Sequence, residues 1–203
     1  MIIDFRRAVF LTSVPDVEKA PFDQGAEVAF AGRSNAGKSS AVNTITEQRG
    51  LARTSKTPGR TQQINFFDLG DNRRLVDLPG FGYAEVPQSV KRRWQQNLLD
   101  YLRVRRSLRG LILLMDCRHP LTTYDQQMLL WCGDVGLPTH VLLTKSDKLK
   151  RGAARNNLLA VRSRLPELHP CASVQLFSAF KKTGLEEARK LLTAWLSDQN
   201  GYP

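Results

Sequence analysis

Short, wholly apolar runs alternate along this chain with longer stretches in which apolar residues recur every three or four positions. VAFAG after Glu27, LILLM between Gly110 and Asp116, and VLL after His140 show no polar alternation, as expected of strands buried on both faces of a sheet. TTYDQQMLLWCGDVG from Thr122, RGAARNNLLAVRSRL from Arg151 and LEEARKLLTAWL from Leu185 carry the helical period; in the last, Leu185, Ala188, Leu192 and Trp195 share a face. Further helices are predicted from Lys38 to about Glu47 and from Ser89 to about Arg106, the second with Leu98, Leu99 and Leu102 as its apolar stripe. QINFFDL (Gln63 to Leu69) and RLVDL (Arg74 to Leu78) flank the turn residues Gly70, Asp71 and Asn72, which predicts a hairpin. SVQLFSA from Ser173 is the last strand.

Strands that alternate with helices predict a three-layer α/β fold, a mostly parallel sheet with one antiparallel strand and helices on both faces. A chain of 203 residues fits one domain able to bury a full core. The expected division is an N-terminal extension packed on the domain, residues 1–26, and a single domain over 27–203. Within the extension AVFLTSVP (Ala8 to Pro15) reads as a short edge strand or as a helix-like turn, and Pro15 and Pro21 break its regularity. Residues 48–62 and Pro79 to Pro87 read as loops.

In such sheets ligands bind outside the carboxyl ends of the strands, and four predicted strand ends carry candidate chemistry. The first is GRSNAGKSS: Gly32, Arg33, Ser34, Asn35, Ala36, Gly37, Lys38, Ser39 and Ser40. It contains G-x-x-x-x-G-K-S between a strand and a helix, the context a phosphate-binding loop requires. The glycines bring backbone N–H groups close to a phosphate chain, Lys38 supplies a cation for the terminal phosphates, and the Ser39 hydroxyl suits Mg²⁺. The helix start behind the loop adds a positive dipole end.

Asp77, Leu78, Pro79 and Gly80 form D-x-x-G at a second strand end. The carboxylate there suits contact with Mg²⁺, and Gly80 offers an N–H to a γ-phosphate. Thr144, Lys145, Ser146 and Asp147 follow a third. Asp147 can accept hydrogen bonds from guanine N1–H and the 2-amino group; adenine has neither donor, and the carboxylate would be left unpaired. The stem of Lys145 can cover the base plane. Ser178 and Ala179, at the fourth end, offer a backbone N–H to guanine O6. The set points to GTP rather than ATP. In the basic loop, Thr61 is the candidate switch threonine, whose hydroxyl would join Mg²⁺ only while a γ-phosphate is present.

Thirty Lys and Arg against 19 Asp and Glu give +11, which suggests a polyanionic partner with RNA as leading candidate. Lys91, Arg92, Arg93, Arg103, Arg105, Arg106 and Arg109 fall within one helical region, and residues 145–164 add Lys145, Lys148, Lys150, Arg151, Arg155, Arg162 and Arg164. These are either solvated helix faces or contacts along RNA phosphates. Cys117, Cys132 and Cys171 are widely spaced and the three histidines lack ligand spacing, so neither a zinc site nor a disulfide framework is expected. MIIDFRRAVFL does not read as a signal peptide, and no apolar run approaches a membrane span.

GRSNAGKSS, KTPGRTQ, DLPGFGYA, TKSD and FSAFKKTG, in this order and over nearly the whole chain, resemble the bacterial EngB family (also called YihA or YsxC) of translation-factor-class GTPases. The resemblance implies a P-loop GTPase (Ras-like) fold, binding of GTP and GDP with Mg²⁺ in the cytoplasm, and a role in maturation of the large ribosomal subunit, with a link to normal cell division and septation. It implies nucleotide contacts by Gly59, Arg60 and Thr61 of the basic loop and by Phe177, Ser178 and Ala179, with Ser39, Thr61 and Asp77 around the metal. Lys38, Asn35, Thr61 and Gly80 are then the candidate catalytic residues. Phe81 stands where Ras-like enzymes place the glutamine that orients water, so slow hydrolysis is expected. In related GTPases an asparagine at the position of Asn35 helps to hold K⁺ against the phosphates; here it does that or only stabilises the loop. The expected partner is the large ribosomal subunit or its precursor RNA, with no DNA, no membrane insertion and a monomeric chain. Two other readings stay open: a division-linked interaction protein whose GTP state controls binding to septal components, and a constitutive nucleic-acid binder in which nucleotide is structural.

Overall fold

The computed structural model describes residues 3–52, 63–80, 96 and 98–197. Seven strands, β1 (Val9–Val14), β2 (Ala26–Gly32), β3 (Ile64–Gly70), β4 (Arg73–Asp77), β5 (Leu108–Asp116), β6 (Thr139–Thr144) and β7 (Ser173–Leu176), form one sheet in the order β1-β3-β4-β2-β5-β6-β7. The pairs from β4 through β2, β5 and β6 to β7 are all parallel, and β3 runs against both of its neighbours. One strand is therefore reversed, as the hairpin pattern predicts. Its turn places Asp71 and Asn72 at φ 52° and 56°. Asparagine and aspartate tolerate that left-handed conformation, and a tight hairpin requires it at both central residues.

The helices are α1 (Lys38–Ile45), α2 (over 98–104), α3 (Thr123–Asp134), α4 (Arg151–Leu168) and α5 (Leu185–Ser197). Alternation along the central strands divides the core. Ala29, Ala31, Leu111, Leu113, Val141 and Leu143 pack with Leu98, Tyr101 and Leu102 of α2, Leu129 of α3 and Val161 of α4. Val28, Phe30, Ile112, Leu114 and Leu142 pack with Val42 and Ile45 of α1 and with Leu185, Ala188 and Leu192 of α5. Each central strand thus has an apolar residue for either layer, which is why these segments carry no polar face. Trp195 is only half-buried, but its ring lies where a Cβ on Gly110 would meet it at 2.6 Å. The glycine in β5 is what lets α5 approach.

AVFLTSVP resolves as an edge strand: β1 pairs antiparallel with β3, and Phe5 and Ala8 just before it enter the core beneath α1 and α5. Local pattern could not decide this, because Val9, Phe10 and Leu11 are all exposed and no alternation marks a buried face. Three predicted ends move. The first helix stops at Ile45 because Glu47 turns to φ 54°. The last strand stops at Leu176, and Ser178 instead bridges to Thr183. The helix from Arg151 continues through Pro166 to Leu168, since a proline in the final turn removes a single N–H and His169 N–H closes the end on Leu165 O at 2.7 Å. The predicted helix start at Ser89 and the residues Lys91, Arg92 and Arg93 lie outside the described residues.

Glu27 opens β2 and has no solvent exposure. Its carboxylate accepts from Arg74 Nη1 at 3.0 Å, Arg105 Nη2 at 2.5 Å, Arg105 Nε at 3.1 Å and Tyr101 Oη at 2.8 Å. Burial comes first in holding the Tyr101 hydroxyl well above its ordinary pKa, with the Glu27 charge adding to it, so it acts as a donor. A buried carboxylate is tolerable only when its lone pairs are filled in this way. The network ties the start of β2 to β4 and to the end of α2.

Candidate functional site

β2 ends at Gly32, where an added Cβ would lie 2.7 Å from the Leu114 carbonyl. The chain then turns through Asn35 (φ 62°) and Gly37 (φ 93°), which caps α1. A left-handed residue at the cap costs glycine little. The loop closes on itself through Ala36 N–H to Arg33 O at 3.0 Å. Lys38 and Ser39 therefore stand in the first turn of α1, beside amides that have no partner within the helix. Ser40 follows, exposed.

Lys38 is buried and its ammonium ion-pairs the equally buried Asp77 at the end of β4. Leu78 N–H then donates to Phe30 O at 3.0 Å, which holds the D-x-x-G segment beside β2. Pro79 continues it, and Gly80 approaches the phosphate loop closely enough that a Cβ would touch Ser34 N at 3.5 Å. Gly59, Arg60, Thr61 and Phe81 lie outside the described residues.

β6 delivers the next group. The Thr144 hydroxyl is buried and donates to Ala36 O at 2.5 Å and Met115 O at 3.1 Å. Its role in this arrangement is to tie the phosphate loop to two strand ends. Lys145 takes φ 56°, and its ammonium donates to Asn35 O at 2.6 Å and to Asp116 at 3.0 Å. Ser146 donates through both N–H and hydroxyl to Phe177 O, at 3.2 and 3.1 Å. That pins the loop after β6 to the loop after β7. Across this seam the Ser178 hydroxyl donates to Asp147 Oδ1 at 2.6 Å and accepts from Lys181 N–H at 3.0 Å. Ser178 N–H is spent on Thr183 O at 3.0 Å. The amide left for a base carbonyl is thus that of Ala179.

These residues meet the donor chemistry of a guanine nucleotide with Mg²⁺. A loop opened by glycines at Gly32 and Gly37 and a helix N-terminus suit the phosphates, the Ser39 hydroxyl and Asp77 carboxylate are oxygen ligands of the type Mg²⁺ takes, and Asp147 is a carboxylate aimed by a fixed donor.

The motif strings did not mark Asp116, Arg118 and Asp125. They line, with Arg33, Ser34, Asn35, His119 and Lys145, a cavity of about 190 Å³ against the phosphate loop. Asp116 binds Arg118 through Nε at 2.9 Å and Nη2 at 2.6 Å. Asp125 caps α3 through Thr122, and its other oxygen has no partner among the described residues. Burial raises its pKa, opposed by the Thr122 hydrogen bonds and the Arg33 charge. A signal was present: Asp116 ends the strand GLILLMD, a fifth carboxyl end. A larger groove, about 540 Å³ between the N-terminal segment and α5, is walled by charges that pair with one another, Arg189 with Glu47 and Glu186, and Arg6 with Asp4.

Residues 27–145 match the family model described as 50S ribosome-binding GTPase. A curated relative from Methylococcus capsulatus, named Probable GTP-binding protein EngB, is 58% identical over 188 residues, 92% of this chain and 90% of its own. The protein of that name from Hydrogenovibrio crunogenus is 56% identical over 192 residues, covering 95% and 91%. The chain belongs to the EngB family of GTP-binding proteins. It carries the family's GTPase domain and is a GTPase of that family. Among solved structures, that of a probable GTP-binding protein engB superposes with a TM-score of 0.66 at 22% identity, over 84% of this chain and 98% of that one. At that identity the likeness speaks for the fold, the three-layer P-loop GTPase architecture that the motif order predicts. No described helix is long and apolar enough to cross a membrane.

Proposed function

We propose that this protein binds GTP and GDP with Mg²⁺, hydrolyses GTP slowly, and acts as a molecular switch in assembly of the large ribosomal subunit, needed for normal cell division and septation. The observation that carries the reading is the joining of phosphate loop and base loop into one crevice. Thr144 and Lys145 bond the carbonyls of Ala36 and Asn35, so the Asp147 carboxylate stands at a fixed offset from Gly37 and Lys38.

Phosphates lie along the loop amides from Gly32 to Ser40, and Lys38 turns from Asp77 to their charge. Ser39, Asp77 and the Thr61 hydroxyl would hold Mg²⁺, which would supply positive charge against the phosphates. Asp147 reads guanine N1–H and the 2-amino group, and Ala179 N–H reads O6. Gly80 N–H and Thr61 sense the γ-phosphate. Because Phe81 offers no hydrogen bond to water, the attacking water is left to backbone groups near Thr61 and Gly80. Turnover then falls near the ~10⁻⁴–10⁻³ s⁻¹ of unassisted GTPases. K⁺ held by Asn35 would add positive charge where a partner's arginine does in other systems. Faster turnover in K⁺ than in Na⁺ supports that role, and equal slow rates refute it.

The family model's ribosomal description and the net charge of +11 support ribosomal RNA as the polyanion. The protein acts in the cytoplasm as a monomer, with residues 27–203 as the GTP-binding unit and 1–26 as an extension that supplies its edge strand. Co-sedimentation with purified large subunits, with GDP, with a non-hydrolysable GTP analogue and without nucleotide, over a salt series, tests the switch. Analogue-dependent binding that survives moderate salt is expected. Equal, salt-fragile binding in all states would overturn it.

A further inference from the structure

Asp116 closes β5, and among the described residues its carboxylate collects more donors than any other near the crevice. Oδ1 accepts from Arg118 Nε at 2.9 Å and Arg118 N–H at 3.0 Å; Oδ2 accepts from Arg118 Nη2 at 2.6 Å and Lys145 Nζ at 3.0 Å. The same ammonium reaches Asn35 O at 2.6 Å. A lysine on a left-handed residue (φ 56°) is thus held at both ends, by its backbone turn and by its charged tip. Such a conformation persists only where the surroundings over-determine it.

We propose that Asp116 is a positioning residue of the guanine slot: it anchors the Lys145 ammonium so that the side-chain stem stands as a ready wall for the base. The proposal rests on the guanine-nucleotide reading and adds to it a residue and a mechanism. A free lysine stem samples many rotamers, and covering a base with it would cost that entropy at each binding event. Clamped between Asp116 and the Asn35 carbonyl, the stem is ordered beforehand, and affinity rises because the cost is not met on binding. Arg118 completes the device by holding Asp116. Burial works against ionisation of Asp116, but the hydrogen bonds from Arg118 and Lys145 outweigh it and hold the carboxyl well below the usual range. The anchor is therefore charged at any working pH.

The test is GDP and GTP-analogue binding by the full chain, with dissociation rates, in a double-mutant cycle. Asp116→Asn keeps the shape and removes the charge. It is expected to weaken both nucleotides by the same factor, about tenfold, chiefly through faster dissociation. Equal loss follows because the wall touches the base, which GDP and the analogue share. In a Lys145→Met background, which keeps an apolar stem without the ammonium, Asp116→Asn has nothing to anchor and is expected to change affinity less than about twofold. Asp116→Ser, read through the same cycle, serves if the Asn variant does not fold. Unchanged affinity in the single variants, or losses that add in the double variant, would overturn the proposal. Failure of the wild-type chain to bind GDP would instead remove the guanine-nucleotide reading beneath it.

Discussion

Asp147→Asn is expected to exchange guanine for xanthine nucleotides. Guanine offers donors at N1 and at the 2-amino group, and the carboxylate meets both as an acceptor. The side chain is 8% exposed, so a mismatch there is not repaired by bulk water. An amide presents an N–H toward the 2-amino group, donor against donor. Sites built to hydrogen-bond a substrate reject the analogue lacking that group by roughly 10⁴-fold, and a loss of GDP affinity of about 10²–10⁴ follows. Xanthine carries a carbonyl at C2, which the same N–H satisfies, so xanthosine diphosphate gains what GDP loses. Ser178 Oγ still has an oxygen to donate to, which keeps the loop in place. Competition of GDP and xanthosine diphosphate against a fluorescent nucleotide reads the exchange. Undiminished GDP affinity in the variant would remove Asp147 from base recognition.

Lys38→Met carries the second large effect, and it falls on binding and on folding separately. Losing the charge-assisted contacts to phosphate is expected to weaken GDP by about 10²-fold. It also strands Asp77, 2% exposed, without its partner. Breaking a buried pair by removing one member costs about 3–5 kcal/mol, and in a chain of this size each kcal/mol lowers Tm by about 2–4 °C. Adding Asp77→Asn to Lys38→Met is expected to restore most of the stability and none of the affinity. Thermal melts and nucleotide titrations on the three variants separate the two effects. A Lys38→Met protein as stable as wild type would mean that the ion pair contributes nothing to the fold.

The elements most readily read from the chain are those whose surroundings are uniform. β2, β5 and β6 are apolar on both faces because helices cover both, and such runs declare themselves. The motif residues are legible for a different reason: Gly32, Gly37 and Lys38 lie within a few residues of one another, so the chemistry expected of them, backbone amides with one ammonium, shows in their spacing. For Asp116 the one signal was its place at a strand end, which does not reveal its role. An aspartate after an apolar run is ordinary, and Lys145, which it holds, is 29 positions away along the chain, while the Asn35 carbonyl that shares the lysine is 110 positions from Lys145. Thr144 is similar, since only the folded chain places its hydroxyl under the Ala36 carbonyl, 108 residues distant in sequence.

The sequence alone predicts the order of strands and helices from β2 onward, the reversed strand with its Asp71-Asn72 turn and the phosphate loop, and it points to guanine through Asp147. Each follows from local periodicity or from short-range chemistry. Tertiary structure alone decided that residues 9–14 become the sheet edge, that Glu27 gathers Arg74, Tyr101 and Arg105, that Ser178 gives up its own amide and leaves that of Ala179, and that Asp116 holds Lys145 against the phosphate loop. These are meetings of polar groups from distant segments. Their geometry is set by which strands pair and which helices cover them, and nothing in the spacing of the residues along the chain encodes it.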